Sequence, residues 1–129
     1  MIVVDTSAFM SILNEEEAAL DCRHALRQET SIIMSAGTYT EAMIVASRKG
    51  LKESMAALLQ RSISEVIPLT PTRAQLAADA YSLWGKSFHP ASLNFGDCFA
   101  YATAKEFDCP LLFVGNDFSQ TDIRSATTK

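Results

Sequence analysis

Histidine and cysteine, the side chains from which most zinc centres are built, are scarce here: two of the first and three of the second in 129 residues. His24 and His89 lie far apart with no partner at helical spacing, and Cys22, Cys98 and Cys109 form no C-x-x-C pair. This argues against a tetrahedral zinc site and, with an odd thiol count, against a disulfide framework, so all three thiols are read as reduced. Also missing is any apolar run of the roughly 20 residues that a membrane helix needs. The start, Met1-Ile2-Val3-Val4-Asp5, has no basic leader and meets a carboxylate too early for a signal peptide, so the expectation is a cytoplasmic protein with no membrane association. Basic charge is in deficit, with 11 Lys and Arg against 15 Asp and Glu and a net charge of −4. Partners that are bound through phosphates usually meet a surplus of Lys and Arg. That exclusion fails if several of the acids hold divalent cations, because the bound charge then attracts phosphate itself.

What is present is an ordinary globular composition, 48% hydrophobic and 20% charged, with no repeat, low-complexity tract or linker. One domain over residues 1–129 is expected, because a chain of this length buries roughly two thirds of its unfolded surface around one core. Short apolar runs alternate with helix-period stretches as in β-α units, which predicts one parallel sheet. Ile2-Val3-Val4 reads as a central strand covered on both faces, with Asp5, Thr6 and Ser7 as caps for a helix over about 8–13. A helix over about 16–27 and a strand at 31–34 follow. Thr38 is placed as the cap of a helix running to Lys49, which Gly50 ends, and a second helix over 52–63 completes a helical hairpin. The run 65–69 is a strand that Pro68 confines to an edge, and Thr70-Pro71 opens a helix to about Trp84. After a loop over 85–93, Asn94 or Gly96 opens a helix to about Phe107, and 111–114 is the last buried strand. The tail from Gln120 to Lys129 is weakly patterned, with Ile123 either in a short fifth strand or in none.

The acids gain meaning from this layout. Open α/β sheets bind ligands at the C-terminal edges of their strands, and Asp5 and Asp117 each follow a buried strand. Glu41 sits beside the apolar stripe of Ile44 and Val45, where an unpaired charge is costly unless something cationic meets it. Asp97 lies in the first turn of the helix opened at Asn94, which aims it at the same edge. Each acid also has a local alternative: a helix cap for the three aspartates and a solvated glutamate for Glu41. Capping does not explain why two buried strands both run into aspartate.

Four stretches carry a likeness to a known family. They are Ile2-Val3-Val4-Asp5-Thr6-Ser7-Ala8, the segment from Ser35 to Glu41, the run from His89-Pro90 through Asn94-Phe95-Gly96-Asp97-Cys98 to Ala102, and Leu112-Phe113-Val114-Gly115-Asn116-Asp117-Phe118. Over nearly its whole length the chain resembles the PIN-domain family, and most closely its VapC-like branch, the ribonucleases of bacterial toxin-antitoxin pairs. The resemblance implies a three-layer α/β/α sandwich around a mainly parallel sheet of four to five strands. It implies a metal site of Asp5, Glu41, Asp97 and Asp117 holding Mg²⁺ or Mn²⁺, all four acids matching the family pattern. It adds Thr6 or Ser7 as a hydroxyl near the first aspartate and Asn116 beside the fourth acid as auxiliary groups. Lys86-Ser87-Phe88 lacks the glycine expected before the metal helix, which leaves the substrate contacts of that loop open.

The implied activity is hydrolysis of RNA phosphodiester bonds, in transfer or ribosomal RNA, by a homodimer that a cognate antitoxin neutralises. Arg48, Lys49, Lys52 and Lys86 are the basic residues to consider for substrate, although solvated charge explains each of them singly. Met10, Ile12, Leu13, Met55 and Leu59 are the apolar residues to consider for an interface, with core burial as the default explanation. Three alternatives are set against this. A phospho-acceptor receiver domain needs an aspartate where 65–69 runs into Thr70-Pro71. A haloacid-dehalogenase-like phosphatase needs a second aspartate where Ser7 stands. A non-catalytic PIN-fold module that binds RNA or protein keeps the fold without the chemistry.

Overall fold

The computed structural model describes residues 1–127; Thr128 and Lys129, which end the weakly patterned tail, lie outside the described residues. Four strands and six helices alternate along the chain: β1 (Ile2–Val4), α1 (Thr6–Leu13), α2 (Ala19–Arg27), β2 (Ile32–Ser35), α3 (Ala36–Arg48), α4 (Lys52–Ser62), β3 (Glu65–Ile67), α5 (Pro71–Trp84), α6 (Phe95–Glu106) and β4 (Leu111–Leu112). The strands form one parallel sheet in the order β3-β2-β1-β4. Val3 pairs with Ile33 on one side and with Leu111 on the other, which makes β1 a central strand with both ladders filled. Its three residues are buried, as the unbroken apolar run requires.

Side chains alternate across the pleat and divide the core in two. Ile2, Val4, Ile32, Met34 and Leu112 pack with residues of α1 to α4, whereas Val3, Ile33, Ile67 and Leu111 pack with residues of α5 and α6. The result is the expected α/β/α sandwich. Met10, Ile12, Met55 and Leu59 all belong to the first core, so of the five proposed interface residues only the partly buried Leu13 keeps surface.

The chain winds outward from β1 through β2 to β3 and then returns to lay β4 on the other side of β1. The connections therefore reverse direction between β1 and β4. In doubly wound sheets that switch point, at the strands' C-terminal edge, is where a crevice opens. The segments that leave it are those that carry Asp5 and Asp117.

Several boundaries differ from the sequence expectation, each for a local reason. Ser35, not Thr38, caps α3, its Oγ accepting from the Gly37 N–H at 3.1 Å. Thr38 is instead fully buried within the helix. β3 stops at Ile67, ahead of Pro68, and lies at the sheet edge as the proline demanded. β4 keeps only Leu111 and Leu112, and Gly115, at φ 102°, turns the chain toward Asp117. The tail supplies no fifth strand among the described residues, but one parallel bridge pairs Ser125 with Leu111, and Ile123 packs against the second core.

Asp122 is not simply a solvated acid. It accepts from the Tyr101 hydroxyl at 2.6 Å and from Lys105 at 3.0 Å, while Tyr101 accepts from the Trp84 indole at 2.8 Å. This chain ties the tail to α6 and α6 to α5. The Tyr101 bond helps to hold the Asp122 carboxyl below its ordinary range.

Candidate active site

Asp5 leaves the end of β1 and caps α1. Its Oδ2 accepts from the Ser7 N–H at 3.1 Å and the Ser7 hydroxyl at 2.6 Å. The capping explanation thus accounts for one oxygen only: Oδ1 is buried and has no hydrogen-bond partner. A buried carboxylate oxygen without a donor is costly in isolation, and a hard cation is the chemical group that satisfies it.

The Ser7 hydroxyl also accepts from the Val114 N–H at 3.0 Å, so one oxygen links the exits of β1 and β4. Ser7→Ala is expected to strand that amide and take a donor from Asp5, costing about 1–3 kcal/mol. Urea unfolding of the metal-free protein measures this, and an unchanged midpoint would mean that Ser7 does not tie the two exits together.

Glu41 projects from the second turn of α3. Its Oε1 accepts from the Thr6 hydroxyl at 2.8 Å. The rest of its carboxylate lies on the backbone of Gly96, so closely that a Cβ there would come no farther than 2.9 Å from any of the three carboxyl atoms. Asp97 stands in the first turn of α6 in a capping box with Asn94. Its Oδ2 accepts from the Asn94 N–H at 3.0 Å, and the Asn94 side chain accepts from the Asp97 N–H at 2.9 Å.

Asp117 lies exposed in the turn after β4, beyond Gly115. Its neighbour Asn116 takes part in that turn through its backbone carbonyl, which accepts from the Ser119 N–H and hydroxyl.

The electrostatics join the four acids. Burial raises the Asp5 carboxyl from 3.8 to about 6, opposed by the Ser7 hydrogen bonds and reinforced by the charges of Glu41 and Asp117. Burial raises Asp97 to about 7, opposed by the Asn94 N–H and reinforced by Asp5, Asp117 and Glu41. Segments from four parts of the chain therefore bring their charges within mutual reach. Among the described residues no three such side chains close into a metal cage, so the four acids share a basin of charge in which Asp5 and Asp97 are buried and Asp117 is exposed.

Its donor set of carboxylate and hydroxyl oxygens, one of them buried without a partner, fits a hard divalent cation such as Mg²⁺ or Mn²⁺. The three thiols are buried and free, and burial raises the thiols of Cys22 and Cys98 to about 11, so they supply no ligand.

Other sequence candidates fall elsewhere. Arg48, Lys49 and Lys52 are exposed at the α3–α4 corner, toward the far end of α3 from Glu41, about 10 Å along the helix axis. His89 accepts from the Ala91 N–H at 2.9 Å and meets the Trp84 ring edge-on, which shapes the loop before α6. From the sequence Gly96 reads only as a helix opener. A glycine inside the first turn, next to an acid, is the available signal that something packs on its backbone.

Comparison with known proteins agrees with the fold. The family model for the PIN domain matches residues 2–124. The chain is 38% identical over 129 residues to VapC ribonuclease Mb0625 of Mycobacterium bovis, covering 97% of each chain. It is 38% identical over 132 residues to ribonuclease VapC42 of Mycobacterium tuberculosis, covering 98% of this chain and all of that one. Among solved structures it resembles M. tuberculosis VapC20, described as a Sarcin-Ricin loop cleaving toxin, with a TM-score of 0.77 at 16% identity over 95% of this chain and 96% of that one. It also resembles a chain of a toxin-antitoxin complex from Klebsiella pneumoniae, with a TM-score of 0.71 at 16% identity over 95% and 93%.

Proposed function

The chain belongs to the PIN-domain family, and from that premise we propose that it is a divalent-metal-dependent endoribonuclease, the toxin of a toxin-antitoxin pair, acting through Asp5, Glu41, Asp97 and Asp117. The observation that carries this reading is the buried, unpartnered Oδ1 of Asp5 at the switch point of the sheet, with three further acids in electrostatic reach.

In this reading Asp5, Asp97 and Asp117 hold the cation, and Glu41 holds a second one or orients the attacking water. Bound there, Mg²⁺ or Mn²⁺ supplies Lewis-acid stabilisation of charge on the scissile phosphate. The protein's own contribution is placement. Ser7 holds Asp5 by one oxygen and leaves the other without a donor, Asn94 fixes Asp97, and Thr6 fixes Glu41. An in-line attack by water then leaves a 3′-hydroxyl and a 5′-phosphate.

The substrate is structured RNA, transfer or ribosomal, selected by shape and exposed loops; the description of VapC20 supports this choice. A cognate antitoxin partner is supported by the likeness to chains of toxin-antitoxin complexes, that of VapBC2 from Rickettsia felis among them. Self-association into a homodimer is supported by the exposed Leu76, Leu83, Phe88 and Phe95 on and around α5 and α6. Sedimentation as a single chain at micromolar concentration would remove that last part.

No helix among the described residues is long and apolar enough to cross a membrane. The cytoplasm, where RNA and antitoxin are at hand, is the compartment this function requires.

The test is incubation of total bacterial RNA with the purified protein and Mg²⁺ or Mn²⁺, with and without EDTA. Discrete fragments bearing 5′-phosphates, absent with EDTA, are expected. Intact RNA in the presence of folded, metal-binding protein would leave a PIN-fold binding module.

A further inference from the structure

We infer that Gly96 is a positioning residue for the reaction: its missing side chain is the space in which the Glu41 carboxylate is held against the first turn of α6. The inference rests on the metal-site reading above and names a residue that this reading does not use.

Three observations carry it. A Cβ on Gly96 would overlap the Glu41 carboxylate, whose three atoms are the nearest to that position. The opposite side of the carboxylate is fixed by the Thr6 hydroxyl at 2.8 Å, so Glu41 is gripped between the start of α1 and the start of α6. The helices that carry Glu41 and Gly96, α3 and α6, are also closely packed at a second point. A Cβ on Gly37, in the first turn of α3, would come within 2.9 Å of the Phe99 ring of α6, which shows how tightly that ring packs on the α3 backbone. Each helix thus receives a side chain of the other on a glycine, Phe99 on Gly37 and Glu41 on Gly96. An added methyl at residue 96 must displace the more compliant partner, which is the end of a glutamate side chain and not the packed aromatic ring.

Glycine is a poorer helix former than alanine, so helix propensity does not account for its presence in the first turn of α6. Gly96 has no left-handed backbone conformation that would require glycine. The close approach of Glu41 is the remaining physical reason.

The experiment is Gly96→Ala in the full chain, read by thermal unfolding in EDTA, by Mn²⁺ affinity from calorimetry, and by a crystal structure of the variant. Expected are an unfolding temperature close to wild type and Mn²⁺ affinity lower by roughly tenfold, the scale of losing a group that orients a ligand. In a Glu41→Ala background the same substitution should change affinity less than twofold, because the space is then free. Glu41→Asp, one methylene shorter, should recover part of the affinity lost in Gly96→Ala. The variant structure should show the Glu41 carboxylate moved and Asp97 in place.

Equal losses in the wild-type and Glu41→Ala backgrounds, or a structure in which α6 has shifted as a whole with Glu41 still in contact, would overturn the inference. Wild-type protein whose Mn²⁺ affinity is indifferent to Glu41→Ala would instead overturn the metal-site reading. The structure of the variant then still decides whether Gly96 places Glu41.

Discussion

Asp97→Asn is expected to abolish RNA cleavage while leaving the fold intact or slightly more stable. The two halves of that expectation have separate causes. Asparagine keeps the size of the side chain and an oxygen that can accept from the Asn94 N–H, so the capping box that starts α6 survives. What disappears is a buried negative charge that Asp5, Asp117 and Glu41 all oppose. Removing it relieves repulsion in the metal-free protein, and an unfolding temperature in EDTA at pH 8 at or above the wild-type value is the expected reading.

Catalysis should move the other way. Cation-borne stabilisation of the transition state is worth several kcal/mol, and its loss corresponds to roughly a thousandfold or more in rate. Single-turnover cleavage of one identified RNA site, compared at matched Mn²⁺, measures this. Activity within tenfold of wild type would remove Asp97 from the site. A collapse of the fold would instead mean that its capping role dominates.

The second large effect is on the pH dependence of stability. In the unfolded chain Asp5 and Asp97 ionise near 3.8, whereas in the folded metal-free protein burial and neighbouring charge move them to about 6 and about 7. Between those values the folded state retains protons that the unfolded state has released. Stability from these groups is therefore fully present below about pH 4 and is lost as pH rises through about 6 to 7. At about 1.4 kcal/mol for each pH unit separating folded from unfolded ionisation, the loss is on the order of a few kcal/mol, a sizeable part of what holds an ordinary domain together.

Calorimetry in EDTA should accordingly show the unfolding temperature falling by on the order of 10 °C between pH 5 and pH 8. Mn²⁺ should reverse this where the carboxylates are ionised, adding about 2.7 kcal/mol at a hundred times its dissociation constant, and should do little at pH 5. A metal-free unfolding temperature that is flat or rising across this range would contradict the buried acidic basin. Asp97→Asn should flatten part of the slope.

Much of this arrangement was legible in the sequence because it rests on local chemistry. The apolar run of residues 2–4 required a strand buried on both faces, Pro68 required an edge, and Thr70-Pro71 required a helix start, and each is found. The sequence also placed Asp5 and Asp117 at strand exits, because a parallel sheet has one C-terminal edge.

What was not legible depends on contacts between distant segments. Ser35 and Thr38 are equally good caps by residue type, and only the path of β2 decides between them. The bonds of Asp122 to Tyr101 and Lys105 exist only because α6 brings those two side chains to the tail. For Met10 and Met55 core burial was the default and is found, although periodicity alone cannot tell a helix buried on two sides from one with a spare face. Gly96 was invisible as a site residue, since its contribution is the absence of atoms beside a glutamate 55 positions earlier.

The pairing of β1 with β4 has a consequence for the timing of synthesis. Val3 meets Leu111, so β1 gains its second neighbour only when the chain has been made as far as β4. Asp5 can stand beside Asp117, and Ser7 can bind Val114, only after that strand has been released and docked. Contacts of such long sequence separation form slowly, after the local helices. The N-terminal half, with Asp5 and Glu41, can collapse before the segments that carry Asp97 and Asp117 join it. On the proposed reading, the site that cuts RNA is complete only once β4 has docked on β1, after the half that holds Asp5 and Glu41 has had time to collapse.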